Sequence, residues 1–429
     1  MEPRRKAKPN PCLGVNHPMF GDLARFDAVK MTVRSAKFLD EDESIMIHLT
    51  VTGRCYARCQ GCINSAITMG ILEPRSSLIT FQESEPERDS VIILELVKRH
   101  PDKIITVCFY GGEPFLAVDK MEKVWRNLKE SKAGKMIRYM VYTNGELLIE
   151  AMNRYPEFMR DMWLYSISID GDKKQHNRIR KGTNLNKIKR NLKELRDKFK
   201  GHIMQWSTLR EEQSLYTCFE EFLRLYKQRL VDHFFWHWAE TKEPYEDFAA
   251  YVRKYSQELE KLMDVYVKKI GEGESLPICH INELILYLLT GKERGHTACG
   301  VELAKNYDIV SGKVYPCADL PSCLNIGELD SDGKLSLKES NLNSLVEYKS
   351  WLGCYECGVH AYCGGRCPVQ ALAGSRERTL QYCQLMRLHV GIVQERIDEI
   401  MAALDREGIT PKEIYESSAV LTKYTDVVP

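Results

Sequence analysis

The stretch that decides the fold is IMIHLTVTGRCYARCQGC, residues 45–62. Its first eight residues are rich in apolar and β-branched side chains, which predicts a buried strand. Three cysteines follow, separated by three and then by two residues. Zinc and iron–sulfur sites usually take four protein ligands, so three thiols in one loop leave one metal position open. Catalytic metal sites keep such a position for a substrate or a cofactor.

The composition is that of a globular protein with no strong charge bias. The chain has 429 residues, 44% of them hydrophobic and 28% charged, and a formal net charge of +1. This balance argues against nucleic acid or an anionic membrane as the main partner. The basic run near the first residue has no apolar stretch behind it, and no apolar run is long enough to span a bilayer. We therefore expect a cytoplasmic protein with no nucleic-acid or membrane partner.

Short β-rich runs alternate with longer amphipathic segments from residue 45 to about 238. The predicted strands cover residues 46–52, 104–110, 139–143, 164–169, 203–208 and 233–238. Their largely apolar character suits a parallel sheet that is covered on both faces. The fold class predicted is α/β: a partial (β/α)6 TIM-type barrel, then a small irregular Cys-rich domain and a C-terminal helix.

Polar and glycine motifs follow the second, third and fourth predicted strands: GGEP, YTNG and SISIDG. Paired glycines, Gly111 and Gly112, allow a backbone to approach a ligand closely. Glu113 can accept a hydrogen bond from an ammonium, and Ser168 can donate one to a carboxylate. Functional residues of barrels lie at the carboxyl ends of the strands, so the sequence predicts a binding site there.

Ten of the fifteen cysteines fall in two groups, which in an intracellular chain indicates metal or cluster binding. The later group is Cys299, Cys317, Cys354, Cys357, Cys363, Cys367 and Cys383. A zinc ribbon would explain part of it, but seven ligands suit two clusters with one ligand missing or supplied elsewhere. The scattered cysteines, expected to be small buried hydrophobes unless Cys323 is a ligand, are Cys12, Cys108, Cys218, Cys279 and Cys323.

Taken together, these motifs resemble the radical S-adenosylmethionine (SAM) enzymes in their order and in their positions at strand ends. The resemblance implies a [4Fe–4S] cluster on Cys55, Cys59 and Cys62, with SAM on its fourth iron. The residues implied to contact SAM are Gly111, Gly112, Glu113, Ser168 and Arg180. One departure is Gly61, because many members carry an aromatic residue just before the third cysteine.

The later cysteines are similar in spacing to the SPASM extension of these enzymes. This resemblance implies two auxiliary [4Fe–4S] clusters, and therefore three clusters in all. The first would be held by Cys299, Cys317 and Cys367, completed by Cys323 or left open to substrate. The second would be held by Cys354, Cys357, Cys363 and Cys383.

The resemblance implies that an electron donor such as flavodoxin or ferredoxin drives the cleavage of SAM. The resulting 5′-deoxyadenosyl radical takes a hydrogen atom from the substrate. That substrate is predicted to be a peptide or protein under modification, and the alternative is a small molecule in haem or other cofactor biosynthesis. Sulfatase-maturing members carry aspartate directly after the second SPASM cysteine; Ala318 holds that place here and Asp319 is next. The rival of another class is a structural zinc or iron–sulfur protein.

The run FFWHWAETKEP at the end of the sixth predicted strand supplies candidate catalytic residues. Strand alternation sends His237 or its neighbours toward the cavity, and His237, Glu240 and Asp319 are candidate proton acceptors. The alternative is that Trp236 and Trp238 cover the barrel mouth while His237 and Glu240 serve structure.

The chain is predicted to divide into an N-terminal extension, a radical SAM barrel, a helical connector, a SPASM domain and a C-terminal helix with its tail. The bounds are 1–44, 45–240, 241–298, 299–390 and 391–429. Helix is expected over 244–293 and again, as one helix, over about 384–407.

Overall fold

A parallel sheet forms the centre of the molecule. The structure is a computed structural model, and it describes residues 26, 29–32, 44–63, 83–291, 293–319, 324–338 and 341–425. The barrel strands are β1 Ile45–Thr52, β2 Ile105–Gly111, β3 Ile137–Thr143, β4 Met162–Ser168, β5 His202–Leu209 and β6 His233–Trp238. Each strand pairs in parallel with the next along the chain. All six strands predicted from the sequence are confirmed.

Amphipathic helices cover the outer face of this sheet. They are α1 Pro86–Arg99, α2 Val118–Lys129, α3 Leu148–Arg154, α4 Pro156–Arg160, α5 Lys173–Ile179, α6 Leu185–Lys198 and α7 Leu215–Lys227. In α6 the apolar residues Leu185, Ile188, Leu192 and Leu195 recur at helical spacing and are buried. Burial of such stripes against the sheet supplies most of the stability of these helices.

The Cys-rich region extends the same sheet. Its strands are β7 Asn306–Val310, β8 Lys313–Tyr315, β9 Gly327–Leu329 and β10 Leu335–Leu337. Among the described residues, ten strands form one sheet in the order β10-β9-β8-β7-β1-β2-β3-β4-β5-β6. Strand β7 pairs in parallel with β1, so the sheet runs without a break across the predicted domain boundary at residue 299. The predicted fold class is confirmed, and the domain division stays a prediction.

Helices make up most of the remaining described chain. They are α8 Phe248–Ile270, α9 Cys279–Thr290, α10 Tyr348–Leu352, α11 His360–Cys363, α12 Pro368–Ala373, α13 Arg376–Glu395, α14 Ile397–Glu407 and α15 Pro411–Ser417. The helix expected over 244–293 is present as the two helices α8 and α9. The single helix expected over 384–407 is wrong: α13 begins earlier, capped by Ser375, and α14 begins after Arg396. The apolar period continues across Arg396, so the sequence pattern does not show the break.

The interior of the barrel has an apolar floor and a polar, aromatic upper layer. The floor is built from Met46, Cys108, Met140, Leu164, Met204, Phe235, Cys279, Leu421 and Tyr424. Two residues further along the strands, the inward positions carry His48, Tyr110, Tyr142, Trp206 and His237, which line a cavity. Among the helices described, none has the length and apolar character needed to cross a membrane.

Candidate active site

A cavity of about 730 Å³ lies at the carboxyl ends of strands β1 to β6. It brings together thiols from both cysteine groups: Cys55, Cys59, Cys62, Cys299, Cys317 and Cys367. It also brings together the other predicted site residues: Gly111, Gly112, Glu113, Ser168, Arg180, His237, Glu240 and Asp319. Residues that are distant in sequence therefore surround one space.

The loop with the first three cysteines is anchored on both sides by backbone hydrogen bonds. The Gly112 and Glu113 amides donate to the Thr52 and Arg54 carbonyls, both over 2.9 Å. On the other side, the two-residue strand Arg58–Cys59 pairs with Arg180–Lys181. Burial is the main cause that raises the pKa of the Cys55 thiol, to about 12. Without a metal this thiol stays protonated near neutral pH, so metal binding there must displace a proton.

The two glycines of GGEP allow the chain to pass closely beside the cysteine loop. A Cβ atom on Gly111 would lie 2.2 Å from the Thr52 carbonyl oxygen, and one on Gly112 would lie 2.3 Å from the Arg54 carbonyl oxygen. Gly111 also has a φ of +133°, which side chains rarely tolerate. The close approach that requires glycine is thus to residues 52–54, whereas the sequence analysis expected it to be to a ligand.

Glu113 joins the GGEP motif to the TNG motif. Its carboxylate is 1% exposed and accepts hydrogen bonds from the Thr143 hydroxyl over 2.7 Å, the Asn144 amide over 2.9 Å and the Phe115 amide over 3.2 Å. Burial raises the pKa of Glu113 to about 7, although these hydrogen bonds oppose the shift. The carboxyl group therefore fixes the end of β3 while it faces the cavity.

The side chain of Asn144 offers a donor to the cavity. Its Oδ1 accepts hydrogen bonds from the Tyr56 hydroxyl over 2.8 Å and from the Glu146 amide over 3.0 Å. Its Nδ2 is buried and has no hydrogen-bond partner among the described residues. A buried donor of this kind costs stability unless something accepts from it, which indicates a ligand acceptor in the cavity.

Asp170 is the centre of a buried charge network beside the cysteine loop. It is 0% exposed and accepts from Arg180 Nε over 2.8 Å, Arg210 Nη1 over 3.1 Å and the Thr208 amide over 3.0 Å. Burial alone would raise the pKa of Asp170, but Arg180 and Arg210 outweigh it and lower the pKa below its usual value. The group is a carboxylate at neutral pH. Of the network, only Arg180 was predicted as a site residue.

Arg210 links the end of β5 to the cysteine loop. Its Nε donates to the Gln60 carbonyl, between the second and third cysteines, and its Nη1 donates to Gln213 over 3.0 Å. Gly61 lies beside it with a φ of +56°, and a Cβ there would be 3.4 Å from the guanidinium. The position where the resemblance leads us to expect an aromatic residue is therefore a left-handed glycine against Arg210. The sequence around Arg210 gave no signal for this role.

His237 faces the cavity and is held between two partners. Its Nε2 lies 2.9 Å from the Thr208 hydroxyl and its Nδ1 lies 3.3 Å from the Glu240 carboxylate. Burial raises the pKa of Glu240, but His237 and Arg366 outweigh burial and lower it. This arrangement can orient the imidazole toward the cavity.

The tryptophans on either side of His237 do not cover the barrel mouth. Trp236 and Trp238 are fully buried and contact Tyr255 on α8 and His389 on α13. The alternation that turns His237 inward turns both of them outward into the helical layer. The expectation that they close the mouth is wrong.

A second histidine–carboxylate pair lies in the cavity and was not predicted. His48 on β1 and Asp308 on β7 are register partners, and their Nδ1 and Oδ1 atoms are 3.0 Å apart. Asp308 also accepts from the Ala318 amide, next to Cys317. His48 was read only as part of a strand, and β7 was not predicted, so nothing in the sequence joined the two.

The remaining cysteines lie away from the cavity lining. Cys354 begins the 3-10 turn Cys354–Glu356, the Cys357 amide donates to the Cys354 carbonyl over 3.0 Å, Cys363 ends α11 and Cys383 lies on α13. The buried cysteines Cys108, Cys218 and Cys279 are 0% exposed, which confirms that prediction. Cys12 and Cys323 lie outside the described residues.

The donor set around the cavity fits a cluster with SAM bound to it. Three thiols from one loop, an uncompensated buried amide donor and a buried cationic network all border the same space. No three His, Cys, Asp or Glu side chains in the described ranges lie close enough to bind one metal ion together. A four-iron cluster makes no such demand, because its thiolates bind different iron atoms.

A family model of the radical SAM superfamily matches residues 49–209, which contain the first cysteine loop and the motifs at the ends of β1 to β4. This part of the chain is a radical SAM domain. The domain binds SAM and a [4Fe–4S] cluster, and Cys55, Cys59 and Cys62 are the thiols that fit the cluster. No curated protein sequence matches this enzyme significantly.

Solved structures share the fold of this radical SAM enzyme beyond the matched domain. The chain is 19% identical to native anSMEcpe with bound AdoMet, with a TM-score of 0.65 over 83% of this chain and 98% of that chain. Against native anSMEcpe with bound AdoMet and Cp18Cys peptide, identity is also 19%, with a TM-score of 0.63 over 84% and 99% of the two chains. At this identity the likeness shows the fold, including the region that follows the barrel.

Proposed function

We propose that this radical SAM enzyme modifies a peptide or protein and that its C-terminal region is a SPASM domain. The observation that carries the proposal is the cavity that both cysteine groups line. When bound, the cluster and SAM supply a 5′-deoxyadenosyl radical, which abstracts hydrogen from the substrate. The protein's part is to position the reacting carbon and to exclude water.

The residues around the cavity divide into a SAM end and a substrate end. Glu113, Asn144, Ser168 and Arg180 offer the acceptors and donors that the ammonium and carboxylate of SAM require. The opposite end combines the aromatic layer with two histidine–carboxylate pairs, His48–Asp308 and His237–Glu240. These pairs are the candidate proton acceptors for the substrate.

The proposal includes two auxiliary clusters. Cys299, Cys317 and Cys367 line the cavity and would hold the first, next to the substrate. Burial raises the pKa of Cys367, and the neighbouring Glu240, Cys317 and Cys299 add to the rise, so this thiol must release a proton when a cluster binds. Cys354, Cys357, Cys363 and Cys383 would hold the second cluster.

A peptide substrate is supported by two observations. The cavity of about 730 Å³ extends from the first cysteine loop to the later cysteine group, and one structure of the same fold contains a bound peptide. Ala318 directly follows Cys317, and its amide is bound by Asp308, so the backbone there is fixed without an acidic side chain at that position. This arrangement argues against sulfatase maturation.

Anaerobic reconstitution tests the proposal. We expect about twelve irons per chain, from three four-iron clusters, and 5′-deoxyadenosine when dithionite and SAM are added. Cys59→Ala should remove the 5′-deoxyadenosine but keep the auxiliary clusters. A candidate peptide carrying deuterium should transfer it to 5′-deoxyadenosine. The proposal would be contradicted if the reconstituted protein bound zinc in place of iron. It would also be contradicted if a small metabolite transferred deuterium to 5′-deoxyadenosine and no peptide did.

A further inference from the structure

Two like charges lie opposite each other on the short ladder that contains Cys59. In the antiparallel pairing of Arg58–Cys59 with Arg180–Lys181, Arg58 is the register partner of Lys181. Both side chains are exposed, and neither has an ion-pair partner among the described residues. Like charges directly opposite each other weaken a ladder. The fold alone gives no reason for this pair, whereas an anionic partner would.

Further cations, for which the described part of the chain offers no ion-pair partner, continue from this ladder along α5. Lys173, Lys174 and Arg178 are exposed, and α5 leads directly into Arg180–Lys181. Arg178 donates only to a backbone carbonyl, that of Glu212, over 3.4 Å. We call the following residues the basic surface: Arg58, Lys173, Lys174, Arg178 and Lys181. Two acidic side chains lie beside it: Asp172, which caps α5, and Glu221, which lines a surface pocket with Lys173 and Lys174 and is already paired with Lys189 and Arg224.

The concentration of charge is local. Residues 173–200 contain twelve of the 61 Lys and Arg residues but only two of the 60 Asp and Glu residues. The rest of the chain therefore has more acidic than basic residues. A patch of one sign on an otherwise acidic chain attracts a macromolecule of opposite charge and orients it during encounter.

The position of the basic surface indicates which anionic partner it serves. The pairing that carries Arg58 and Lys181 also carries Cys59, and the Gln60 amide donates to the Ile179 carbonyl over 2.9 Å. A protein bound there lies beside the cluster loop on its outer side. Nucleic acid or a lipid surface would gain nothing from proximity to a redox centre, whereas an electron carrier requires it.

We propose that the basic surface binds an acidic one-electron donor protein of the flavodoxin or ferredoxin type. This inference rests on the proposed function, because it assigns the place where that reaction receives its electron. One electron passes from the reduced carrier to the cluster, which goes from the 2+ to the 1+ state while the carrier is oxidised by one electron. No bond or proton is exchanged in this step.

The test compares two reductants in the reconstituted full-length enzyme. In Arg58→Glu/Lys181→Glu, the flavodoxin concentration that gives half-maximal 5′-deoxyadenosine formation should rise about tenfold or more. The rate with dithionite, which needs no docking surface, should stay within twofold of the wild type. Raising the salt concentration should weaken the binding of flavodoxin to the wild-type enzyme and should have less effect on its binding to the variant.

A matched control, Lys227→Glu/Lys261→Glu, reverses the charge of two exposed lysines elsewhere. It should leave the rates of 5′-deoxyadenosine formation with flavodoxin and with dithionite unchanged. If the first variant also fails with dithionite, Lys173→Glu/Lys174→Glu on α5 repeats the test away from the cysteine loop. Unchanged dependence on flavodoxin and on ferredoxin in that variant would overturn the docking proposal. If the wild type forms no 5′-deoxyadenosine even with dithionite, the proposed function fails first.

Discussion

Replacing Asp170 with asparagine should destabilise the protein strongly, because Asp170 is the counter-charge of two buried cations. Arg180 and Arg210 are 9% and 7% exposed, so water cannot replace the lost carboxylate. Removing one partner of a buried ion pair costs about 3–5 kcal/mol. Asparagine keeps one acceptor oxygen in place, so we expect the lower end, about 3 kcal/mol.

The assay is urea unfolding of the cluster-free protein, followed by circular dichroism and tryptophan fluorescence. Because the folded pKa of Asp170 lies below the unfolded value, its contribution is present above about pH 4 and is lost as the pH falls through the folded value. The difference between variant and wild type should thus be constant from about pH 5 to pH 8 and shrink in acid.

Asp172→Asn is the matched control, two residues away. Asp172 caps α5 by accepting from the Gln175 amide over 2.8 Å, and asparagine caps a helix equally well. The control should change the free energy of unfolding by less than about 0.5 kcal/mol. If Asp170→Asn and Asp172→Asn unfold at the same urea concentration, the claim that a buried charge network holds the cysteine loop is wrong.

Three further predictions test single residues. Burial raises the pKa of Glu113 from 4.5 to about 7, so the wild type loses stability as the pH rises through that range. In urea titrations of cluster-free protein, the free energy of unfolding of Glu113→Gln relative to the wild type should rise by about 3 kcal/mol between pH 4.5 and pH 7. A difference that does not change with pH would refute this. Arg210→Lys cannot bridge Gln60 and Asp170 at once, so it should cost about 1.5–3 kcal/mol and reduce iron at the SAM cluster; unchanged iron and stability would show that the link is dispensable. Cys383→Ala should lower iron from about twelve to about eight per chain, whereas Cys218→Ala, at a buried thiol, should keep about twelve.

The sequence predicted the barrel well because its strands are long, apolar and separated by amphipathic helices. It did not predict β7 to β10, which are only three to five residues long and lie among cysteines and turn residues. Strands of that length leave too few residues for a period to emerge. The pairing of β7 with β1 depends on long-range contacts, which local patterns do not contain.

The site was predicted where a motif lies at a strand end and missed where tertiary structure creates it. Glu113 follows a strand and Ser168 ends one, both carry suitable chemistry, and both line the cavity. Arg210 meets Asp170 and Gln60 only in the fold, and His48 meets Asp308 only because two distant strands pair. Nothing in their local sequence distinguishes these residues from ordinary strand or loop positions.

The most direct test of the account is the electron paramagnetic resonance spectrum of the reduced enzyme, recorded with and without SAM. The central claim is that the loop with Cys55, Cys59 and Cys62 leaves one iron free for SAM. We predict that SAM shifts the signal of one cluster, that isotope-labelled amine and carboxylate groups of SAM couple to it, and that Cys59→Ala removes the effect. A spectrum that does not respond to SAM in enzyme with a full complement of iron would contradict the account.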